Sequence, residues 1–407
     1  MLSYHRLSAT LPPVSNKKTS HLSLQLAIVA LTRTFINTGI RMVYPFAPAL
    51  SRGLGVEISS IYNLVTLRNF AGFISPLFGP FSEWFGRKPV MIGAMLLFAL
   101  SSGIVVIWPA YWPLGAALIL IALSKVIYDP AMQAYVGDVV PYKKRGMAFA
   151  VTELSWAGAL LIGAPLVGFA IQKYGWQSPF IWLSLLGFIA VLLLWRIIPH
   201  YPAQSSSETG LAATWQVVRG HPVIWAAAAY SLLLMCANET FFIVYGDWME
   251  GSYHLKLASL GLASGLIGGA EIVGELFAGW SVDRLGKRPV VIVTGLLNAA
   301  LYLIIPHTGS SLTAALATLF LLFLFFETTV VGAVPLLSEI VPAARGAVMA
   351  IVLAAGALGR ALGDIIGPKI WEAGGLTGNG TTAAIIMLLA ILILSRWIRE
   401  GHDPSAA

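Results

Sequence analysis

Apolar runs of about twenty residues or more recur along the whole chain, with short polar turns between them. At 1.5 Å rise per residue, each is long enough to cross roughly 30 Å of hydrocarbon as a helix, the one open structure that satisfies its own backbone there. The pattern predicts spans over residues 24–50, 57–81, 89–108, 112–138, 146–171, 177–198, 220–247, 257–281, 289–306, 312–340, 346–372 and 380–399. One long polar connector, residues 199–219 with the run Pro202 to Gly210, falls between the sixth span and the seventh. The expected organisation is a tail over 1–23, a six-helix bundle over 24–198, the linker 199–219, a second six-helix bundle over 220–399 and a tail over 400–407. No tract is left over for a sizeable soluble domain.

The two halves repeat one another. GPFSEWFGRKPVM at residues 79–91 returns as GWSVDRLGKRPVV at residues 279–291. Each copy closes an apolar run with Gly79 or Gly279 and places an acid, Glu83 or Asp283. A turn glycine follows, Gly86 or Gly286, and then a basic pair, Arg87 with Lys88 or Lys287 with Arg288. An acid in the last turn of a helix faces the negative end of the macrodipole and needs a cation nearby, which the basic pair supplies across the turn. The glycine permits the positive φ that ends a helix, and the following proline suits the start of the next one. A second repeat pairs Asp138 and Arg145-Gly146 with Glu339 and Arg345-Gly346, making Asp138 and Glu339 candidate partners of the basic turns.

These two turns resemble the loop signature of the major facilitator superfamily, which joins its second helix to its third and its eighth to its ninth. The similarity runs from Leu24 to Arg399. The first copy departs from the signature with Glu83 for the usual aspartate and Trp84 for the usual arginine, whereas Asp283 and Arg284 fit it. The resemblance implies an all-α polytopic membrane protein with twelve transmembrane helices in two pseudo-symmetric six-helix bundles. It further implies a secondary transporter working by alternating access, with helices one, four, seven and ten around a midplane site and the third helix of each triplet outside. The turns, with Asp138 and Glu339, would then be gating latches. Gly158, Gly163, Ala164-Pro165 and Gly168 in the fifth span are similar to the glycine-proline motif of the family's antiporters, which ranks export ahead of uptake. Lys125 stands near the position where the family's drug exporters carry arginine.

Composition agrees with the pattern: 57% of residues are hydrophobic and 11% charged, which excludes an ordinary soluble domain. The net charge of +7 is concentrated in the tails, the linker and the turns that share one face, so it marks a positive-inside bias rather than nucleic-acid binding. Both termini are therefore expected in the cytoplasm, with the protein in the cell membrane. The basic, Ser-containing first twenty residues fit a cytoplasmic tail and, as the other reading, an organelle transit peptide. The lone Cys236 permits no internal disulfide.

Spans three, six, nine and twelve have charge-free apolar cores, and each remaining span carries charge. A charge at the bilayer centre costs about 2.5–3.5 kcal/mol on insertion scales, so these groups are expected to face a bundle interior or a watery cavity. Counting along each helix at 1.5 Å per residue puts Lys125, Glu271, Glu327 and Arg360 about 18–21 Å from the cytoplasmic end, and Arg41, Arg68, Glu239 and Asp364 about 22–27 Å from it. Two cations and two anions in each layer suggest neutralisation by pairing within it. Arg33, Asp129, Glu153 and Glu275 lie nearer the cytoplasm. Arg33, Asn37 and Arg41 share one helix face, as do Lys125 with Asp129, Glu271 with Glu275, and Arg360 with Asp364. Lys125–Asp129 and Arg360–Asp364 are eligible internal pairs, whereas Glu271 and Glu275 repel.

Among these groups seven carboxylates face five cations. Some carboxylates therefore lack a full-time counter-charge, and Glu239, Glu271, Glu327 and Asp129 are candidates for proton coupling. The first half is rich in cations and the second in carboxylates. Two explanations stay open: salt bridges between the halves, or a ligand with charge. A cationic substrate at Glu239 and Glu327 beside Phe241, Phe242, Tyr245, Phe325 and Phe326 and a zwitterionic or anionic metabolite are both compatible with this sign pattern. The histidines are scattered without metal-ligand spacing, and no nucleotide-binding loop is present. The expectation is a monomer with a small-molecule substrate, a proton and the lipid bilayer as partners, no metal, no cofactor and no enzymatic activity. A membrane sensor that no longer moves solute is the alternative of another class.

Overall fold

A computed structural model describes residues 22–73, 78, 81–141, 144–200, 219–341 and 345–400. Gly79, residues 1–21 and 401–407 of the tails, and residues 201–218 of the linker lie outside the described residues.

Helix α1 comprises Leu22–Arg41 and Val43–Leu54, which meet at a bend of 53°. Pro45 has no N–H for the Arg41 carbonyl and its ring crowds that carbonyl, so the helix must turn there. Helix α2 consists of Ile58–Ala71 and the short segment Phe81–Trp84. Then follow α3 (Arg87–Ile107), α4 (Tyr111–Val139), α5 (Arg145–Tyr174) and α6 (Ser178–Ile197). The second half brings α7 (Pro222–Tyr253), α8 (Leu257–Leu285), α9 (Lys287–Thr308) and α10 (Leu312–Ser338). The last stretch, Arg345–Trp397, is two antiparallel spans, α11 over 345–374 and α12 over 376–397. The reversal sits at Gly375, with φ 57° and ψ −153°. Asn379 Nδ2 donates to Gly367 O at 3.0 Å, a contact that residues twelve apart in one straight helix, about 18 Å, never make. The predicted loop over 373–379 is thus helical except for one glycine.

Gly86 and Gly286 both adopt φ 86°, with ψ 154° and 151°, so the repeated motif folds as the same turn twice. From the turns, each first basic residue reaches the acid at the end of the fourth helix of its half. Arg87 Nε lies 3.2 Å from Asp138 Oδ2, and Lys287 pairs with Glu339. Each second one caps the sixth helix: Lys88 Nζ donates to Trp195 O at 2.6 Å, and Arg288 donates to Ser395 O at 2.7 Å and Ile398 O at 3.1 Å. The last carbonyls of a helix have no partner within it, and a cation there also meets the negative dipole end.

The halves meet on the face opposite these turns. Helix α7 breaks after Phe242, close to the bend of α1, and a Cβ at Gly246 would lie 2.4 Å from Pro45 O. Helices α5 and α8 approach through Gly261, Gly265 and Gly268, which share one face of α8 at spacings of four and three. A Cβ at Gly268 would lie 2.4 Å from Leu161 N and 2.6 Å from Ala157 O. There α5 carries a π turn, Ala159–Gly163, immediately before Pro165, the usual way a helix accommodates a backbone that a proline interrupts. Arg52 joins Glu250 between the halves at 2.7 Å on this same face. Exposed leucine, isoleucine, phenylalanine and tryptophan side chains on α6, α9 and α12 form the outer, lipid-facing surface.

Candidate functional site

The charged groups of the spans turn inward. Arg33, Arg41, Arg68, Glu239, Glu271, Glu327 and Asp364 are buried, and Lys125, Asp129, Glu275 and Arg360 are half-buried. They form three groups along the seam between the halves.

The group nearest the basic turns belongs to the first half alone. Arg33 on α1 donates from Nε and Nη2 to the two oxygens of Asp129 at 3.0 and 3.1 Å and contacts Glu153 at 3.0 Å. Lys125 Nζ donates to Asp129 Oδ2 at 2.7 Å and to Asn37 Oδ1 at 2.8 Å, while Asn37 Nδ2 donates to Ser155 Oγ at 3.2 Å. Two cations meet two carboxylates, so this cluster is electrically closed. It is also the most accessible group: the Glu153 side chain is 46% exposed.

In the middle, Arg41 crosses from α1 to α8. Its Nη1 and Nη2 donate to the two oxygens of Glu271 at 2.6 and 2.5 Å, with both side chains almost completely buried. A bidentate guanidinium–carboxylate pair is among the strongest polar contacts a protein makes, and the low dielectric raises its value. Arg41 also donates to Trp156 O at 2.9 Å and lies 4.4 Å over the Trp156 ring.

Deeper, Arg68 Nη1 donates to Ile40 O at 2.6 Å and Nη2 to Tyr44 OH at 2.7 Å. The Tyr44 hydroxyl in turn donates to Glu239. Asn69 Nδ2 donates to Asp364 Oδ2 at 2.7 Å. Helices α1 and α2 are thereby tied to α7 and α11 by hydroxyl and amide groups rather than by direct ion pairs.

Two expectations need correction. Arg360 and Asp364 do not pair along α11: Asp364 accepts from Asn69 of the other half, and Arg360 Nη1 donates to Met235 Sδ at 3.2 Å. The charges also do not neutralise within layers. Lys125 reaches one turn along α4 to Asp129 and Arg41 crosses to Glu271, because a lysine or arginine side chain spans about the 5.4 Å of one helical turn, roughly the separation of the two layers. Glu275 and Glu327 are left without an ion pair or a hydrogen bond among the described residues, and Arg33 and Arg41 act on them only at longer range.

The turn residues stand apart from this seam. Arg87–Asp138 and Lys287–Glu339 each stay inside one half, and among the described residues no ion pair links the halves at that face. Asp283 and Gly279 are exposed, and Glu83 is half-buried. Tyr44, Asn69 and Trp156 take part in these contacts and are the positions that sequence reasoning did not single out. Asn69 follows Arg68 directly, and that adjacency of two polar residues in an apolar span was the available signal.

A helical membrane protein with two duplicated halves and a charged seam between them is built as a solute carrier. The family model described as Major Facilitator Superfamily matches residues 29–270 and 229–407, and the chain belongs to that family. It is 24% identical over 336 residues to the uncharacterized MFS-type transporter YceJ of Bacillus subtilis (strain 168), covering 81% of this chain and 84% of that one. It is likewise 24% identical to Multidrug resistance protein 2 of the same organism, covering 96% of this chain and 99% of the relative. Its fold matches the crystal structure of a bacterial homolog to the human lysosomal transporter Spinster, in an inward-facing and occupied conformation. The TM-score is 0.76 at 14% identity, over 94% of this chain and 98% of that chain. The protein is a multi-pass membrane transporter of a small molecule and not an enzyme.

Proposed function

We propose that this transporter exports a small organic cation in exchange for protons. The observation that carries the reading is the pair of carboxylates, Glu275 on α8 and Glu327 on α10, left without a direct ion pair or hydrogen bond in a seam whose other acids are engaged. An uncompensated carboxylate in a low-dielectric site is costly until a proton or another cation joins it. The two therefore compete for the same place, and competition is the physical basis of exchange. The relative bearing the name Multidrug resistance protein 2 supports a drug-like cargo, and the one named a multi-drug resistance efflux pump PmrA homolog supports export.

In this reading the face with the basic turns is cytoplasmic, with both termini there, and solute reaches the seam from it. The six-helix units over 24–198 and 220–399 rock about the seam. Arg87–Asp138 and Lys287–Glu339 hold each half rigid and regulate the approach of the halves on that face. A second reading, uptake of a zwitterionic or anionic metabolite, has one observation in its favour, the half-buried Arg360 that meets a thioether instead of a carboxylate.

The test is proton release. Tetraphenylphosphonium added to the purified protein in weakly buffered detergent solution should free protons, seen with a pH indicator, and the E275Q/E327Q variant should release none. Binding of the cation without proton release by the wild type would remove the proposal.

A further inference from the structure

The Arg41 guanidinium is held as a bound ligand would be. Both oxygens of Glu271 take it at 2.6 and 2.5 Å, the Trp156 carbonyl at 2.9 Å, and the indole face lies 4.4 Å away. A carboxylate beside an aromatic face is the chemistry that recognises organic cations. The same indole has the Lys125 ammonium 5.4 Å from its centroid, so two of the protein's own cations use it. Glu275 lies one turn along α8 from Glu271 on the side of the basic turns, and α10 places Glu327 against α8, where a Cβ at Gly274 would lie 3.0 Å from Glu327 Cβ. A cation entering past the two unpaired carboxylates thus meets, at the next acid, a position already filled by arginine.

We propose that Arg41 is a tethered occupant of the innermost cation position, which cargo must displace from Glu271 and Trp156. The inference rests on the cation-exchange reading above and adds a consequence. Arg41 belongs to α1 and Glu271 to α8, so displacement cuts the central ion pair between the halves and lets them part only when a cation is present. A competitor fixed to the chain acts at high effective concentration, which weakens cargo binding and selects cations over neutral solutes.

Equilibrium binding of radiolabelled tetraphenylphosphonium to the full-length protein in detergent tests this. R41Q should lower the Kd about tenfold, about 1.4 kcal/mol. R41K, which keeps the charge but loses the bidentate fork, should lower it about threefold. R41Q/E271Q, with the acid also gone, should lose the gain. Folding of each variant is checked by size exclusion, and R41K carries the test where R41Q does not fold. Wild-type binding that is abolished by E275Q/E327Q but unchanged or weakened in R41Q and R41K overturns the tethered occupant and leaves the exchange reading standing. No binding by any variant overturns both.

Discussion

Replacing Gly268 by alanine should push the protein out of the conformation described here. The added Cβ would lie 2.4 Å from Leu161 N and 2.6 Å from Ala157 O, both backbone atoms that no rotamer change can move. Ordinary contact needs about 3.4–4 Å, so α8 must retreat from α5 by about 1 Å or the two halves must separate. Overpacking of this kind costs about 1–3 kcal/mol, and the better helix propensity of alanine does not offset it because α8 is helical in both arrangements of the halves. A cost of about 1–2 kcal/mol is about a 5–30-fold change in the ratio of two states. The readout is pulsed electron paramagnetic resonance between spin labels at Tyr174 and Ser310, exposed ends of helices from the two halves on the face opposite the basic turns. Here Cys236, the one native cysteine, is replaced by serine. The long-distance population should grow in G268A and stay at the wild-type level in G269A, where the nearest atom to a new Cβ is a side-chain carbon at 4.0 Å. Equal distributions for the two variants would refute the reasoning.

Further expectations follow from the caps and the deep network. Lys88→Ala and Arg288→Ala should each speed hydrogen exchange in the last turn of α6 and α12, with the larger effect from Arg288, which makes two bonds where Lys88 makes one; about 1 kcal/mol per lost charged cap is the scale. Tyr44→Phe removes the donor to Glu239 and an acceptor from Arg68 at once, and thermal unfolding in detergent should report a loss of about 1–3 kcal/mol. A glycine-to-alanine change at Gly286, where φ is 86°, should cost about 1–2 kcal/mol through backbone strain, and the same change at Gly279, inside α8 and open to solvent, should not.

Much of this architecture is written in residues that a reader of the chain can weigh. The basic turns announced their own duplication, and Gly86 and Gly286 do share one conformation, because a positive φ is a local demand that glycine alone meets cheaply. The excess of carboxylates was equally visible as a count. Which acids would be left over was not, since that depends on which side chains of neighbouring helices and of the other half come within reach. Arg360 and Asp364 had the spacing of a helical pair, yet Asn69 of another helix holds the acid, and tertiary geometry outweighs an intrahelical preference worth a few tenths of a kcal/mol. The glycine face of α8 showed no pattern by itself because its meaning lies in the backbone of α5 against it.

In the proposed cycle cation and proton share the carboxylates of one seam, and transport in proteoliposomes examines that most directly. With the vesicle interior made acidic, wild-type protein should accumulate radiolabelled tetraphenylphosphonium inside, in step with proton loss from the lumen, and the E275Q/E327Q variant should behave as empty vesicles do. Accumulation by that variant at the wild-type rate, or none by the wild type, would contradict it.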